Sequence, residues 1–204
     1  MAAITVLAVA GPLEDGDQAL KEKRYSDAYR LLLPEAKKGN SFAQYNIAFL
    51  LSEGLGITKD EHEASKWYEK AGNQGDTDAQ TNLGSMYRDG TGVEKDLKKA
   101  LALFQKAAKE GNAMAQNNLG ALYFAGRGVE QNNQEALKWF TAAAEKGIPE
   151  AQNSLAVMYL EGKGVPKDPK QGNKWLQLAA TQGFGPAQTN VFKLTLNMAS
   201  AGDY

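Results

Sequence analysis

The chain has 204 residues, with 23 lysines and arginines against 24 aspartates and glutamates, so it lacks the basic surplus that marks nucleic-acid binding. It contains no cysteine and one histidine, His62, which excludes a disulfide framework, a thiolate nucleophile and a Cys/His zinc site. No apolar run reaches the roughly 18 residues that a membrane-spanning helix needs.

Residues 2–10, AAITVLAVA, form an apolar run closing on Ala8-Val9-Ala10, which has the small-x-small form of a signal-peptidase site and is followed by Gly11-Pro12. No basic region precedes the run, so it reads as a signal peptide missing its start; a frayed terminus or an arm packed on the fold fits as well. Residues 1–12 are therefore set apart as a signal-peptide remnant or disordered arm.

Beyond them one pattern repeats at a step of 36: Ala-Gln at Ala43-Gln44, Ala79-Gln80, Ala115-Gln116, Ala151-Gln152 and Ala187-Gln188, and glycine at Gly39, Gly75, Gly111, Gly147 and Gly183. Self-similarity at this period marks a solenoid, and because such arrays grow by adding units, residues 13–204 are expected to form one domain without an internal boundary.

Residues 13–40 hold an incomplete unit. Ala28, Leu31, Leu32, Ala36 and Gly39 stand 36 positions before Ala64, Trp67, Tyr68, Gly72 and Gly75, which predicts a second helix in phase with the array, preceded by a turn at Lys23 to Ser26 and serving as the N-terminal cap. Four full units follow, at 41–76, 77–112, 113–148 and 149–184. Each opens with an amphipathic helix; in the third, Ala115, Leu119, Leu122 and Tyr123 fall on one face. That helix is expected to stop at Gly54, Gly90, Gly126 or Gly162. The second helix of each unit should begin at Asp60, Asp96, Asn132 or Asp168, whose side chains can accept from first-turn amides. Glu63, Glu135 and Gln171, three residues on, are expected to complete capping boxes, which Lys99 does not.

Small residues recur where the two helices should cross, at Ala48, Gly84, Gly120 and Ala156 on the first and Ala64, Ala100, Ala136 and Gly172 on the second. Residues 185–204 are expected to form a C-terminal cap helix, with Phe192 filling the space of the missing partner helix.

The pattern running from Ala79 through Leu83-Gly84, Tyr87, Gly90, Gly92, Val93, Asp96, Ala100, Phe104 and Ala107-Ala108 to Gly111 resembles the Sel1-like repeat family, relatives of the tetratricopeptide repeats. The match runs over about residues 41–191, four times in register; Ile57, Leu51 and Gly172 depart from it. The resemblance implies an all-α fold, an α-solenoid in which antiparallel helix pairs wind into a right-handed superhelix. It also implies a non-enzymatic scaffold that binds proteins or peptides on its concave face, with no cofactor. Many bacterial members are exported, which with the apolar N-terminus points to the periplasm or secretion; a cytoplasmic location follows if that run is not a signal. Other readings are a hydrolase of cell-wall or β-lactam-like substrates, linked to cysteine-rich relatives, and a structural self-assembly module. The first lacks a cysteine or any nucleophile–base constellation here; the second departs from the expected monomer.

Several residues carry chemistry on paper only. The pairs Gly54-x-Gly56, Gly90-x-Gly92, Gly126-x-Gly128 and Gly162-x-Gly164 follow helices rather than strands, so they read as turns and not phosphate loops. His62 has no second ligand and reads as a surface residue, and Trp67, Trp139 and Trp175 share a repeat position with Leu103 and read as packing.

The family places first helices on the inner surface, which makes candidates of Asn46, Asn82, Asn118, Ser154 and Asn190, each one position before a core residue. A carboxamide there can clamp an extended peptide backbone, or bridge neighbouring helices; both readings satisfy its hydrogen bonds. Around that row the face varies: Phe42, Tyr45 and Phe49 are aromatic, Asp78, Thr81, Ser85 and Arg88 polar, Met114, Asn117 and Phe124 mixed, with Glu150, Asn153 and Val157 beyond. Aromatic residues are frequent hot spots, so the Phe42/Tyr45/Phe49 patch suits an apolar anchor on a ligand.

Overall fold

A computed structural model describes residues 11–201, with side chains as far as residue 193. The apolar run at residues 2–10 lies outside them. The described residues are helical, with no strand among them: α1 (Pro12–Lys21), α2 (Tyr25–Lys37), α3 (Ser41–Glu53), α4 (Glu61–Asn73), α5 (Thr77–Asp89), α6 (Leu97–Lys109), α7 (Ala113–Ala125), α8 (Asn133–Glu145), α9 (Pro149–Glu161), α10 (Pro169–Thr181) and α11 (Gly185–Ala201). The fold is an α-solenoid of consecutive helix pairs. Two compact units divide the chain, one ending at Asp96 with α1 to α5 and the other beginning at Leu97 with α6 to α11.

Caps set the helix boundaries. Asn40, Asp76 and Asn112 accept from the amides of Ala43, Ala79 and Ala115 at 2.9, 2.8 and 2.9 Å, which satisfies one free donor at the start of α3, α5 and α7. α9 has no such cap and starts on Pro149. The first helices end at Gly54, Gly90, Gly126 and Gly162, each left-handed with φ between +65° and +79°.

Asp60, Asn132 and Asp168 cap α4, α8 and α10 as their positions predict. The capping boxes are not closed, however. The backbone N–H groups of Asp60, Asn132 and Asp168 donate to the carbonyls of Leu51, Tyr123 and Tyr159 at 3.0, 2.9 and 2.9 Å, so no donor is left for a returning side chain. Glu63 turns to Lys66 instead, and Glu135 accepts from Trp139 Nε1 at 3.0 Å.

The N-terminal cap holds more than its sequence suggests, since residues before the turn form α1, 10 residues long against 13 in α3. The turn itself carries Lys23 at φ +59°. Gly16 lets α1 close on α2, because a Cβ there meets Leu32 Cδ2 at 2.5 Å.

The core is largely alanine, which brings helices close. In the second unit Ala136, Phe140, Ala143, Ala144, Ala151, Leu155 and Met158 form one buried cluster, and Ala156, Leu176, Ala179 and Ala187 form another. The small crossing residues make room for particular neighbours: a Cβ on Gly120 lies 2.8 Å from Phe140 Cδ1, and one on Gly172 lies 2.6 Å from Leu160 Cγ. Phe192 behaves otherwise. It is 63% exposed, so it does not fill the place of a missing helix.

The repeated glutamines are structural. Gln44, Gln80, Gln116, Gln152 and Gln188 donate from Nε2 to the carbonyls of Ala36, Gly72, Ala108, Ala144 and Ala180 at 2.7–3.3 Å, a second bond on last-turn carbonyls that also accept from the N–H of Gly39, Gly75, Gly111, Gly147 and Gly183.

Candidate protein-binding surface

In the first unit the candidate residues come from α3 and α5. Phe42, on the first turn of α3, is 44% exposed, and Asp78, its counterpart on α5, is exposed as well. Tyr45 is half-buried against Tyr68 of α4, ring centroids 5.8 Å apart and planes tilted by 60°. Asn82 lies beside both phenols, and Ser52 Oγ lies 3.4 Å from the Tyr68 hydroxyl. Asn46 is buried and donates from Nδ2 to Phe42 O within its own helix at 2.8 Å.

Burial drives the electrostatics of this network. It pushes the Tyr68 phenol up to about 12, against the opposing hydrogen bonds from Ser52 and Asn82, and it raises Tyr45 with help from the charge of Asp78. Both phenols are neutral at ordinary pH. Beside them Phe49, Ser52, Tyr68, Asn82, Ser85 and Met86 wall a 280 Å³ cavity whose rim carries Glu53, Lys59, Glu61, Asp89 and Thr91. Arg88 turns away to Asp89, donating from Nε at 2.9 Å and Nη2 at 2.7 Å, and this pairing raises its already high pKa.

In the second unit Met114 is 47% exposed on α7, at the repeat position of Phe42. Asn117 and Asn118 are half-buried on the same helix. Phe124 packs edge-on against Phe140, centroids 6.3 Å apart, and Lys163 Nζ sits 5.2 Å above the Phe124 ring. Asn190 Nδ2 donates to Asn153 Oδ1 at 3.2 Å, joining α11 to α9, while Ser154 Oγ donates to its own helix at Glu150 O, 2.9 Å away.

The structure thus gathers Tyr45, Phe49, Asn82 and Ser85 in one place and Asn153 and Asn190 in another, and leaves Phe42, Asp78 and Met114 outermost. The amides of Asn46, Asn153 and Asn190 already serve protein partners. Tyr68, Ser52 and Glu53 were not among the sequence candidates. A signal existed for Tyr68: it is the one hydroxyl in the series Tyr68, Phe104, Phe140, Leu176.

The remaining motifs have structural uses. Trp67 is buried, Trp139 and Trp175 are half-buried, and His62 Nδ1 donates to Gly92 O at 3.1 Å. Gly56, Gly92, Gly128 and Gly164 rest on the start of the preceding second helix; a Cβ on Gly92 lies 2.4 Å from the backbone of Glu61. Among the described residues there is no cluster of potential metal ligands, and no helix is long and apolar enough to cross a membrane.

The Sel1 repeat family model matches residues 41–76, 77–112, 113–148 and 149–184. No curated protein matches the chain. Among solved structures the chain is similar to a Sel1 repeat protein of Oxalobacter formigenes, 36% identical with a TM-score of 0.82, over 88% of this chain and 72% of that one. It is similar to c5321, a protective antigen present in uropathogenic Escherichia coli strains, 31% identical with a TM-score of 0.81, over 94% of this chain but 42% of that one. The immunity protein PA5088 of Pseudomonas aeruginosa is 25% identical with a TM-score of 0.58, over 85% of this chain and 67% of that one. Sel1 repeat proteins are generally non-catalytic scaffolds for protein interaction. With its four repeats in register and these relatives, the chain belongs to the Sel1 repeat family.

Proposed function

We propose that the chain binds a protein or peptide partner through the faces of its first helices. One observation carries this reading: large apolar side chains, Phe42 at 44% and Met114 at 47%, stand exposed at the same repeat position of α3 and α7, where core packing has no use for them. The position is acidic in the other two repeats, Asp78 and Glu150, so the scaffold tolerates any residue there and the apolar ones are free to anchor a ligand.

The asparagines support the face rather than form an open clamp, since Asn46 is spent on Phe42 O, Asn190 holds Asn153, and Asn82 stands beside the Tyr45 and Tyr68 phenols. Export belongs to the same reading and rests on the apolar run at residues 2–10; fractionation of the expressing cell tests it, and a purely cytoplasmic pool removes it.

The test of binding is capture of partners by the intact protein with mass-spectrometric identification, then calorimetry of a purified partner. The Phe42→Ala/Met114→Ala variant should lose about tenfold in affinity or more, as apolar hot spots do, with helicity unchanged. Unchanged affinity removes this face. Replacing Asn82 and Asn118 with Ala separates direct contact from support, because a supporting residue lowers stability along with affinity. A second reading, an immunity protein, is favoured by the 25% identity to PA5088, and a captured partner that is toxic when expressed alone distinguishes it.

A further inference from the structure

We infer that the cavity between α3, α4 and α5 is a receptor for one lysine side chain of the bound partner, an inference that rests on the protein-binding reading and names the chemistry the partner presents.

The evidence is a comparison of the two units at positions 72 residues apart. In the second unit Phe124 stands where the first has Ser52, and it packs edge-on against Phe140, the counterpart of Tyr68. Above Phe124 lies Lys163 Nζ, 5.2 Å from the ring centre and 2.7 Å from Glu161, so a lysine is held there between an aromatic face and a carboxylate. The first unit keeps a carboxylate and one aromatic ring there, Asp89 and Tyr68, but lacks both the lysine and the ring beneath it. Thr91 replaces Lys163, Asp89 replaces Glu161 and Ser52 replaces Phe124, and these exchanges leave a 280 Å³ cavity.

The walls suit an alkyl-ammonium. Phe49, Met86 and the Tyr68 ring offer an apolar sleeve for the methylenes, and the rim carries three carboxylates, Glu53, Glu61 and Asp89, against one ammonium, Lys59. Glu61 is taken by Lys59 at 2.6 Å and Asp89 by Arg88 at 2.7 Å, whereas Glu53 makes no hydrogen bond or contact ion pair among the described residues and feels only the more distant charge of Lys59. The volume lies at the lower edge of the roughly 300–1,000 Å³ of small-molecule sites and admits a single long side chain.

The probe is Nα-acetyl-lysine methylamide, titrated into the intact protein and followed by amide NMR, with the norleucine analogue as its uncharged isostere. Lysine shifts should cluster on α3, α5 and the loop at Thr91. Glu53→Gln should weaken binding about tenfold, because it removes a charge-assisted contact, and Glu69→Gln, on an exposed turn of α4, should change nothing. Thr91→Lys should abolish binding by supplying the lysine internally.

Equal binding of the norleucine analogue, equal shifts with calcium chloride, or undiminished lysine binding in both Glu53→Gln and Thr91→Lys overturns the inference. If Glu53→Gln leaves affinity for an identified partner intact while Phe42→Ala/Met114→Ala abolishes it, the lysine site falls and the binding face stands.

Discussion

Gln74 Nε2 donates to Gln44 Oε1 at 2.7 Å while Gln44 Nε2 donates to Ala36 O at 3.0 Å, so one buried amide links three successive helices. The same relay runs from Gln182 through Gln152 to Ala144, at 2.8 and 3.1 Å. It is broken at Gln80, where Glu110 stands at the donor position, and at Gln116; the Oε1 atoms of both are buried without a protein partner. The residue that should donate to Gln116 is Lys146, which reaches the exposed carbonyl of Gly111 instead, at 2.5 Å. Lys146→Gln restores the relay and should raise stability by about 0.5–1.5 kcal/mol, since the gain is a satisfied buried acceptor and the loss a solvated contact. Urea unfolding checks this; an unchanged or lower midpoint refutes it.

Gly120 is a second pressure point. Its missing Cβ would lie 2.8 Å from the Phe140 ring, so Gly120→Leu should lower the melting temperature by several degrees through overpacking of about 1–3 kcal/mol or more. Gly120→Ala recovers up to about 1 kcal/mol of helix propensity and should be milder, though still destabilising. Glu130→Ala, on an exposed loop, should stay within about 0.5 kcal/mol of the parent. Equal effects of Gly120→Leu and Glu130→Ala would misplace the helix crossing.

Two glycines of one loop separate backbone strain from crowding. Gly162 and Gly164 have nearly the same φ, +73° and +72°, but a Cβ on Gly162 meets Lys167 Cβ at 3.4 Å, an ordinary contact, and one on Gly164 meets Asn133 O at 2.5 Å. Both alanine variants should therefore be strained, with Gly164→Ala the worse by about 1–3 kcal/mol. Comparable chemical-denaturation curves for the two would mean that the loop lifts off α8 at little cost.

Alkaline pH reads the phenol network. Tyr68 ionises near its usual value of 10.0 when unfolded and at about 12 when folded, so its contribution is constant below about pH 10 and is lost between about pH 10 and 12, as the unfolded chain gives up its proton first. The loss reaches about 2.7 kcal/mol at most. Tyr68→Phe should flatten that part of the stability profile while costing about 1 kcal/mol at neutral pH through the lost hydroxyl bonds. Denaturant midpoints on both sides of the window test it, and parallel profiles for variant and parent would sink it.

Most of the helix plan could be read from spacing because it depends on short-range chemistry. Gly54, Gly90, Gly126 and Gly162 end helices by adopting a left-handed φ, and Asp60, Asn132 and Asp168 start them by accepting amides. The errors came where a long-range partner intervened. Glu63 stands at the right offset for a capping box, but Leu51 O already holds the amide it needs. Phe192 has the size to plug a gap, yet nothing in the spacing shows which way it faces. The cavity was legible only in part: Phe49 and Ser85 share a position that varies between repeats and Asn82 belongs to a recurring asparagine row, so these stood out, whereas Tyr68 looked like one more core aromatic until Ser52 and Asn82 were placed beside its hydroxyl.

The contact between one repeat and the next loop has an evolutionary side. Ser26 Oγ, His62 Nδ1 and Gln134 Nε2 donate to the carbonyls of Gly56, Gly92 and Gly164 at 2.8, 3.1 and 2.8 Å, three unlike donors meeting the same main-chain oxygen. An acceptor that every glycine carries does not discriminate between neighbours, so this joint imposes almost no pairing code. In-frame duplication or loss of a 36-residue module then leaves the seam intact. Such a gene can lengthen, shorten or shuffle its cassettes while the variable residues on their outer turns diversify.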